Sequence, residues 1–133
     1  MKTVFADAFY FVGLVNRADQ HHDRIVAAAR QLREDVLTTE WVLAEFADAL
    51  AESSSRRLVP QFIRALEQDP KVRIICAGSD LFQRGLRLYE ERPDKEWSLT
   101  DCLSFVVMEE ENIREALTGD QHFEQAGFIA LLK

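Results

Sequence analysis

Between Lys2 and Arg17 the chain carries a single charge, Asp7, set inside the apolar run VFADAFYFVGLV. A segment this apolar must go to the interior, and it takes Asp7 with it. Burying an unpaired carboxylate is costly and commonly raises its pKa until it neutralises. Any fold this chain adopts must therefore bring something to Asp7 that offsets the charge. The same demand recurs downstream. Asp101 is the only charge between Glu96 and Glu109, in LTDCLSFVVM, and Glu45 sits in WVLAEFA between Glu40 and Asp48. Asp120 follows in LTGDQHF. A divalent cation shared by Asp7, Glu45, Asp101 and Asp120 is the natural compensation.

The pattern along the chain alternates strand and helix. Residues 2–6 read as a short buried strand, followed by a helix over 8–16. A second helix fits 20–33, with Ile25, Val26, Ala29 and Leu32 on one face and Asp19 as its N-cap. The β-branched VLTT at 36–39 leads into an apolar helix over 40–52, which the serines at 53–55 interrupt. Ser55 is placed to cap a helix over 56–68, closed by Asp69–Pro70. VRIICA at 72–77 is the clearest strand. Helices at 80–90 and 99–110 flank a polar, proline-containing loop at 91–97, with Ser98 or Thr100 near the second N-cap. A strand at 115–118, a short helix over 120–125 and a strand at 127–132 complete the pattern.

Such alternation predicts an α/β fold with three layers, a short and mostly parallel sheet between helices. Sites in such sheets form beyond the carboxyl ends of the strands. Asp7 and Asp120 lie just past two of the expected strands, and Glu45 and Asp101 lie on helices near the same end.

The chain has 133 residues, the size of one domain, and a hydrophobic fraction of 47% is enough for a core. No stretch of about 18 uncharged apolar residues is present, so no membrane span is expected. Nothing near the start reads as a signal peptide. Cys76 and Cys102 have no CxxC spacing and read as small buried hydrophobes of a reducing, cytoplasmic compartment. The net charge of −7 argues against a general polyanion binder, which carries a basic face. A nuclease remains compatible, because metal ions neutralise an acidic cluster and then attract phosphate. The pairs Arg56–Arg57, Lys71–Arg73, Arg84–Arg87 and Arg92–Lys95 fit solvated helix faces.

Taken singly, each acid also has an ordinary role. Asp7 and Asp120 can be N-caps, Asp101 a first-turn acid favoured by the helix dipole, and Glu45 a partly exposed or ion-paired helix residue. His21 and His22 belong to a polar helix start, and His122 to packing or hydrogen bonding beside Asp120. Thr118 and Ser98 offer hydroxyls near the acids, although strand packing and helix capping explain them equally well. There is no glycine-rich phosphate loop and no Ser–His–Asp arrangement.

The segments SLTDCLSFVVMEE and ALTGDQHFEQAGF resemble the C-terminal motifs of PIN-domain proteins, in particular the VapC-type toxin ribonucleases. VFADAFYFVGLVN is similar to the opening strand–Asp–helix segment of that family, and TTEWVLAEFADAL to its central Glu-bearing helix. The resemblance spans nearly the whole chain, residues 1–133 forming one PIN-like nuclease domain. It implies a PIN fold, a divalent-metal site and cleavage of single-stranded RNA. By position, Asp7, Glu45, Asp101 and Asp120 match the four family acids. Two positions depart from the pattern. Ala8 follows Asp7 where many members have a hydroxyl or amide residue, and Gly119 precedes Asp120 where a bulky residue is common. Neither departure removes a matched acid.

Mg²⁺ and Mn²⁺ favour such oxygen ligands. Asp7 and Asp101 are the expected direct ligands. Asp120 binds directly or through water, and Glu45 serves either as a ligand or as the proton acceptor from water. The implied function is a metal-dependent endoribonuclease, the toxin of a toxin–antitoxin pair. A housekeeping RNA-processing nuclease and a non-catalytic PIN-like binding module are the alternatives. The resemblance also implies a homodimer and an antitoxin whose segment lies near the acids, with a basic side chain reaching the metal region. The apolar helix at 40–50 and the stripe Leu58, Val59, Phe62, Ile63 and Leu66 supply more apolar surface than one sheet contact can bury.

Overall fold

The computed structural model describes residues 2–133. The elements run β1 (Thr3–Ala6), α1 (Ala8–Val15), α2 (His22–Gln31), β2 (Asp35–Thr39), α3 (Glu40–Ala49) and α4 (Leu58–Gln68). They continue as β3 (Val72–Ile75), α5 (Ser79–Glu91), α6 (Leu99–Glu110), β4 (Glu115–Leu117), α7 (Gln121–Gln125) and β5 (Ile129–Ala130). The five strands form one sheet in the order β3-β2-β1-β4-β5, and every pairing is parallel. The expected α/β architecture is therefore present, with a sheet that is wholly rather than mostly parallel.

This order has a direct consequence for where chemistry can sit. The chain steps outward from β1 to β2 and β3, then returns to place β4 on the other side of β1. The register pairs Val4 with Val36 on one side and Phe5 with Ala116 on the other. The strand order thus reverses between β1 and β4, and a crevice opens beyond their carboxyl ends. The residues that follow those strands are Asp7, and Thr118 to Asp120.

β1 is buried along Val4, Phe5 and Ala6. A strand buried on both faces requires helices on both. α1 packs with α2, α3 and α4, while α5 packs with α6, and α6 also touches α3 and α7. Each group carries its own aromatic cluster. Phe11, Phe46 and Phe62 meet with ring centroids 5.7–5.9 Å apart. Phe105 meets Trp97 and Phe123 edge-on at 5.0 Å, and Phe123 reaches Phe5 of the sheet. Edge-to-face pairs of this kind add about 0.5–1.5 kcal/mol each beyond the area they bury.

Several local expectations are corrected. α2 begins at His22 rather than at residue 20, and Asp19 does not cap it. Instead the Asp19 carboxylate accepts the His21 N–H at 2.8 Å, closing a turn of the Asx type. Ser55 does not cap α4, which starts at Leu58 after a turn in which the Ser55 carbonyl accepts the Leu58 N–H. β3 stops at Ile75, the last residue in register with Thr39, so Cys76 is exposed rather than buried. Cys102 is buried, as expected. α3 is less bare than its composition suggests. Val42, Leu43 and Phe46 are buried, and Trp41 pairs with Phe82 of α5 at 5.6 Å. No helix among the described residues is long and apolar enough to cross a membrane.

Candidate active site

Asp7 occupies the N-cap position of α1, yet its side chain makes no capping hydrogen bond. The capping role open to it in the sequence is thus not the one it plays. Its carboxylate Oδ2 accepts the Thr118 hydroxyl at 2.9 Å, a buried bond between β1 and β4 termini. Thr118 Oγ1 in turn accepts the Asp120 N–H at 3.1 Å. One hydroxyl therefore joins the first and last acids across the switch point. Burial pushes the Asp7 carboxyl up to about 7; the Thr118 bond opposes the rise, and the negative charges of Glu45 and Asp101 add to it.

Asp101 is the third residue of α6 and forms a reciprocal capping box with Ser98. The Ser98 hydroxyl accepts the Asp101 N–H at 3.0 Å, and Asp101 Oδ2 accepts the Ser98 N–H at 3.1 Å. Removing such a cap costs about 1 kcal/mol. Here the capping role and the site role coincide, because the box holds the carboxylate in one orientation. Burial raises the Asp101 pKa, opposed by its bonds to Ser98 and His122, while the Asp120 charge raises it further. Asp101 remains only 7% exposed.

Asp120 is the N-cap of α7, its Oδ1 accepting the His122 N–H at 2.9 Å. Glu45 is half-buried on α3, partly exposed as its ordinary reading allows, and pairs with no cation among the described residues. Burial raises its pKa, and every charge that perturbs it is another acid: Asp101, Asp120 and Asp48. Asp7 feels Glu45 and Asp101, and Glu45 feels Asp101 and Asp120. The four acids thus lie within one electrostatic neighbourhood, drawn from β1, α3, α6 and the β4–α7 junction.

Two residues given ordinary roles in the sequence belong to this centre. Thr118 fixes Asp7, and His122 places Nδ1 3.0 Å from Asp101 Oδ2 and 3.5 Å from Asp120 Oδ1. The candidate ligand atoms of Asp101, Asp120 and His122 all lie within 4.8 Å of one another. The signal in the sequence was the spacing in TGDQHF, where residue 122 is the second helical residue after an N-cap at 120 and so stays beside it. Gly119 also finds its reason. A Cβ there would meet Phe9 Cζ at 2.7 Å, so Gly119 leaves room for the ring of Phe9, which in turn packs on His21 at 5.2 Å. A separate cleft of about 640 Å³ lies along α5 and α6, lined by residues including Arg84, Arg87, Trp97, Phe105 and Phe128 and by none of the four acids.

The donor set suits a hard cation. The four acids offer carboxylate oxygens, neighbouring acids raise the pKa of Asp7, Glu45 and Asp101, and the hydrogen bonds that orient Asp7 and Asp101 engage Oδ2 of each. Hard divalent cations take such ligands in preference to sulfur.

Comparison with known proteins identifies the family. Residues 4–129 match the model of the PIN domain. The chain is 25% identical over 126 residues to the 23S rRNA-specific endonuclease VapC20 of Mycobacterium tuberculosis, 95% of each chain being covered. The crystal structure of Mycobacterium tuberculosis VapC20, a Sarcin-Ricin loop cleaving toxin, superposes with a TM-score of 0.87 at 24% identity, covering 96% of this chain and 98% of that one. FitAcB from Neisseria gonorrhoeae shares the fold with a TM-score of 0.64 at 19% identity over 96% and 94% of the two chains. With the family model spanning nearly its whole length, the chain belongs to the PIN domain family.

Proposed function

We propose that this protein is a metal-dependent endoribonuclease of the cytoplasm that hydrolyses single-stranded RNA, acting as the toxin of a toxin–antitoxin pair. The observation that carries the reading is the grouping of Asp7, Glu45, Asp101 and Asp120 about the β1–β4 switch point, where burial and neighbouring acids raise the pKa of Asp7, Glu45 and Asp101. The likeness to VapC20, an endonuclease described as a toxin, supports RNA as the substrate class.

A bound Mg²⁺ or Mn²⁺ would supply Lewis acidity to acidify water and offset charge on the phosphate. Asp7 and Asp101 would hold it, with Asp120 beside them. Thr118 keeps Asp7 aligned by donating to Oδ2, and the Ser98 box does the same for Asp101. Glu45 is half-buried and its pKa is raised by burial and by the charges of Asp101 and Asp120, which suits it to take the proton of the attacking water. An assay on mixed RNA with Mg²⁺ should show cleavage that EDTA abolishes and Asp101→Asn reduces at least about a hundred-fold. Cleavage unchanged in EDTA would overturn the mechanism, while metal binding without cleavage would indicate a binding module.

The same reading includes a homodimer and an antitoxin partner. In α4 only Val59 is buried; Phe62, Ile63 and Leu66 are half-buried and Leu58 is 40% exposed. Such a stripe invites a partner. Light scattering at micromolar concentration should give twice the mass of 15.3 kDa. A strict monomer would remove the dimer from the proposal and leave the nuclease intact.

A further inference from the structure

We infer that His122 is a positioning residue of the acidic centre, donating its Nδ1–H to the Asp101 carboxylate beside Asp120 rather than ligating the cation. This inference rests on the metal-dependent reading above and adds to it the residue that presents Asp101 and Asp120 together.

The geometry is specific to one ring nitrogen. Nδ1 lies 3.0 Å from Asp101 Oδ2 and 3.5 Å from Asp120 Oδ1. An ionised carboxylate oxygen can only accept, so the nitrogen between two of them carries the hydrogen. A nitrogen whose lone pair is occupied by that hydrogen cannot also bind a cation.

The ring is not free to choose another place. Its own backbone N–H is held by Asp120 Oδ1 at 2.9 Å, and α7 is seated by buried Phe123, which packs on Phe5 and Phe105. His122 itself is half-buried, with a side chain 23% exposed. Asp120 therefore orients His122 through the backbone, and His122 orients Asp101 through the ring.

The consequence for Asp101 is selective. Its Oδ2 accepts from both the Ser98 N–H and the His122 ring, at 3.1 and 3.0 Å. Both donors sit on one oxygen, so Oδ1 is the oxygen turned to a ligand. Groups that fix a ligating carboxylate in this way typically change metal affinity or activity about ten- to a hundred-fold when removed.

Three substitutions separate donation from ligation. Asn places an amide N–H where Nδ1 stands, whereas Gln reaches to where Nε2 stands. Mn²⁺ affinity is measured by calorimetry on the folded proteins, and cleavage of RNA is followed at saturating Mn²⁺. His122→Ala should weaken Mn²⁺ binding about ten- to a hundred-fold, with part of the lost turnover recovered at saturating Mn²⁺. His122→Asn should restore most of the affinity, and His122→Gln should not. Unchanged affinity in His122→Ala, rescue by Gln, or failure of Asn to rescue each overturns the inference while the nuclease reading stands. Absence of Mn²⁺ and Mg²⁺ binding by the unaltered protein overturns both.

Discussion

Asp7→Asn is expected to give a protein that no longer cleaves RNA and is more stable than its parent at pH 8. The two effects share one cause. Burial and the neighbouring charges of Glu45 and Asp101 raise the Asp7 carboxyl from 3.8 to about 7. In the native state without metal, keeping it ionised costs on the order of 4 kcal/mol. Asn removes that charge while retaining a carbonyl oxygen to accept the Thr118 hydroxyl. Because the native pKa lies above the unfolded one, the native state binds the extra proton between about pH 4 and pH 7. Stability contributed by Asp7 is thus fully present below pH 4 and falls as pH rises to about 7. The gap between variant and parent should open over that window and reach roughly 2–4 kcal/mol above it. Urea unfolding in EDTA at pH 4.5, 6 and 8 measures it. A variant no more stable at pH 8 than its parent would show that the acids are already compensated within the chain.

The second large effect is the reverse side of the first. If the acids are held together at a loss, a divalent cation that binds only the native state should restore it. At a free Mg²⁺ concentration a hundred times its dissociation constant, mass action contributes about 2.7 kcal/mol. For a chain of this size that corresponds to an increase in Tm of roughly 10 °C. The shift should vanish in EDTA and be much reduced in Asp7→Asn and Asp101→Asn. An equal shift in parent and both variants would mean that the cation binds elsewhere.

The parts of the fold legible in the sequence are those where pattern and environment agree. The run around Asp7 had to be a buried strand and helix, and β1 and α1 lie where the charge-free segment places them. Ser98 with Asp101 is a local signature, and the capping box follows from three residues of spacing. What escaped depends on partners distant in sequence. GFIALL reads as a six-residue strand, but β5 can pair only where short β4 offers a partner, at Glu115 and Ala116. VRIICA loses its last two residues for the same reason, because β2 ends at Thr39. The site shows a similar divide. Asp7, Glu45 and Asp101 announced themselves by apolar surroundings, whereas His122 shares a polar segment with Asp120 and acquires its role only when α6 brings Asp101 beside it. Thr118 carried no signal beyond its hydroxyl until β4 lay alongside β1.

The position of β4 also sets a time order on the ribosome. Thr118 and Asp7 are bonded across 111 residues of chain, and Asp101 and Asp120 are among the last acids to be synthesised. A nascent chain that has exposed β1, β2 and β3 already displays Asp7 and Glu45 but has no second half of the centre. Domains close their long-range pairings after their local ones, and β4 can slide in beside β1 only once the C-terminal segment has left the exit tunnel. Until β4 arrives, Asp7 lacks its Thr118 bond and the acidic centre is incomplete. On the proposed toxin reading, the interval before β4 joins β1 is the window in which a partner would capture the chain before its first turnover.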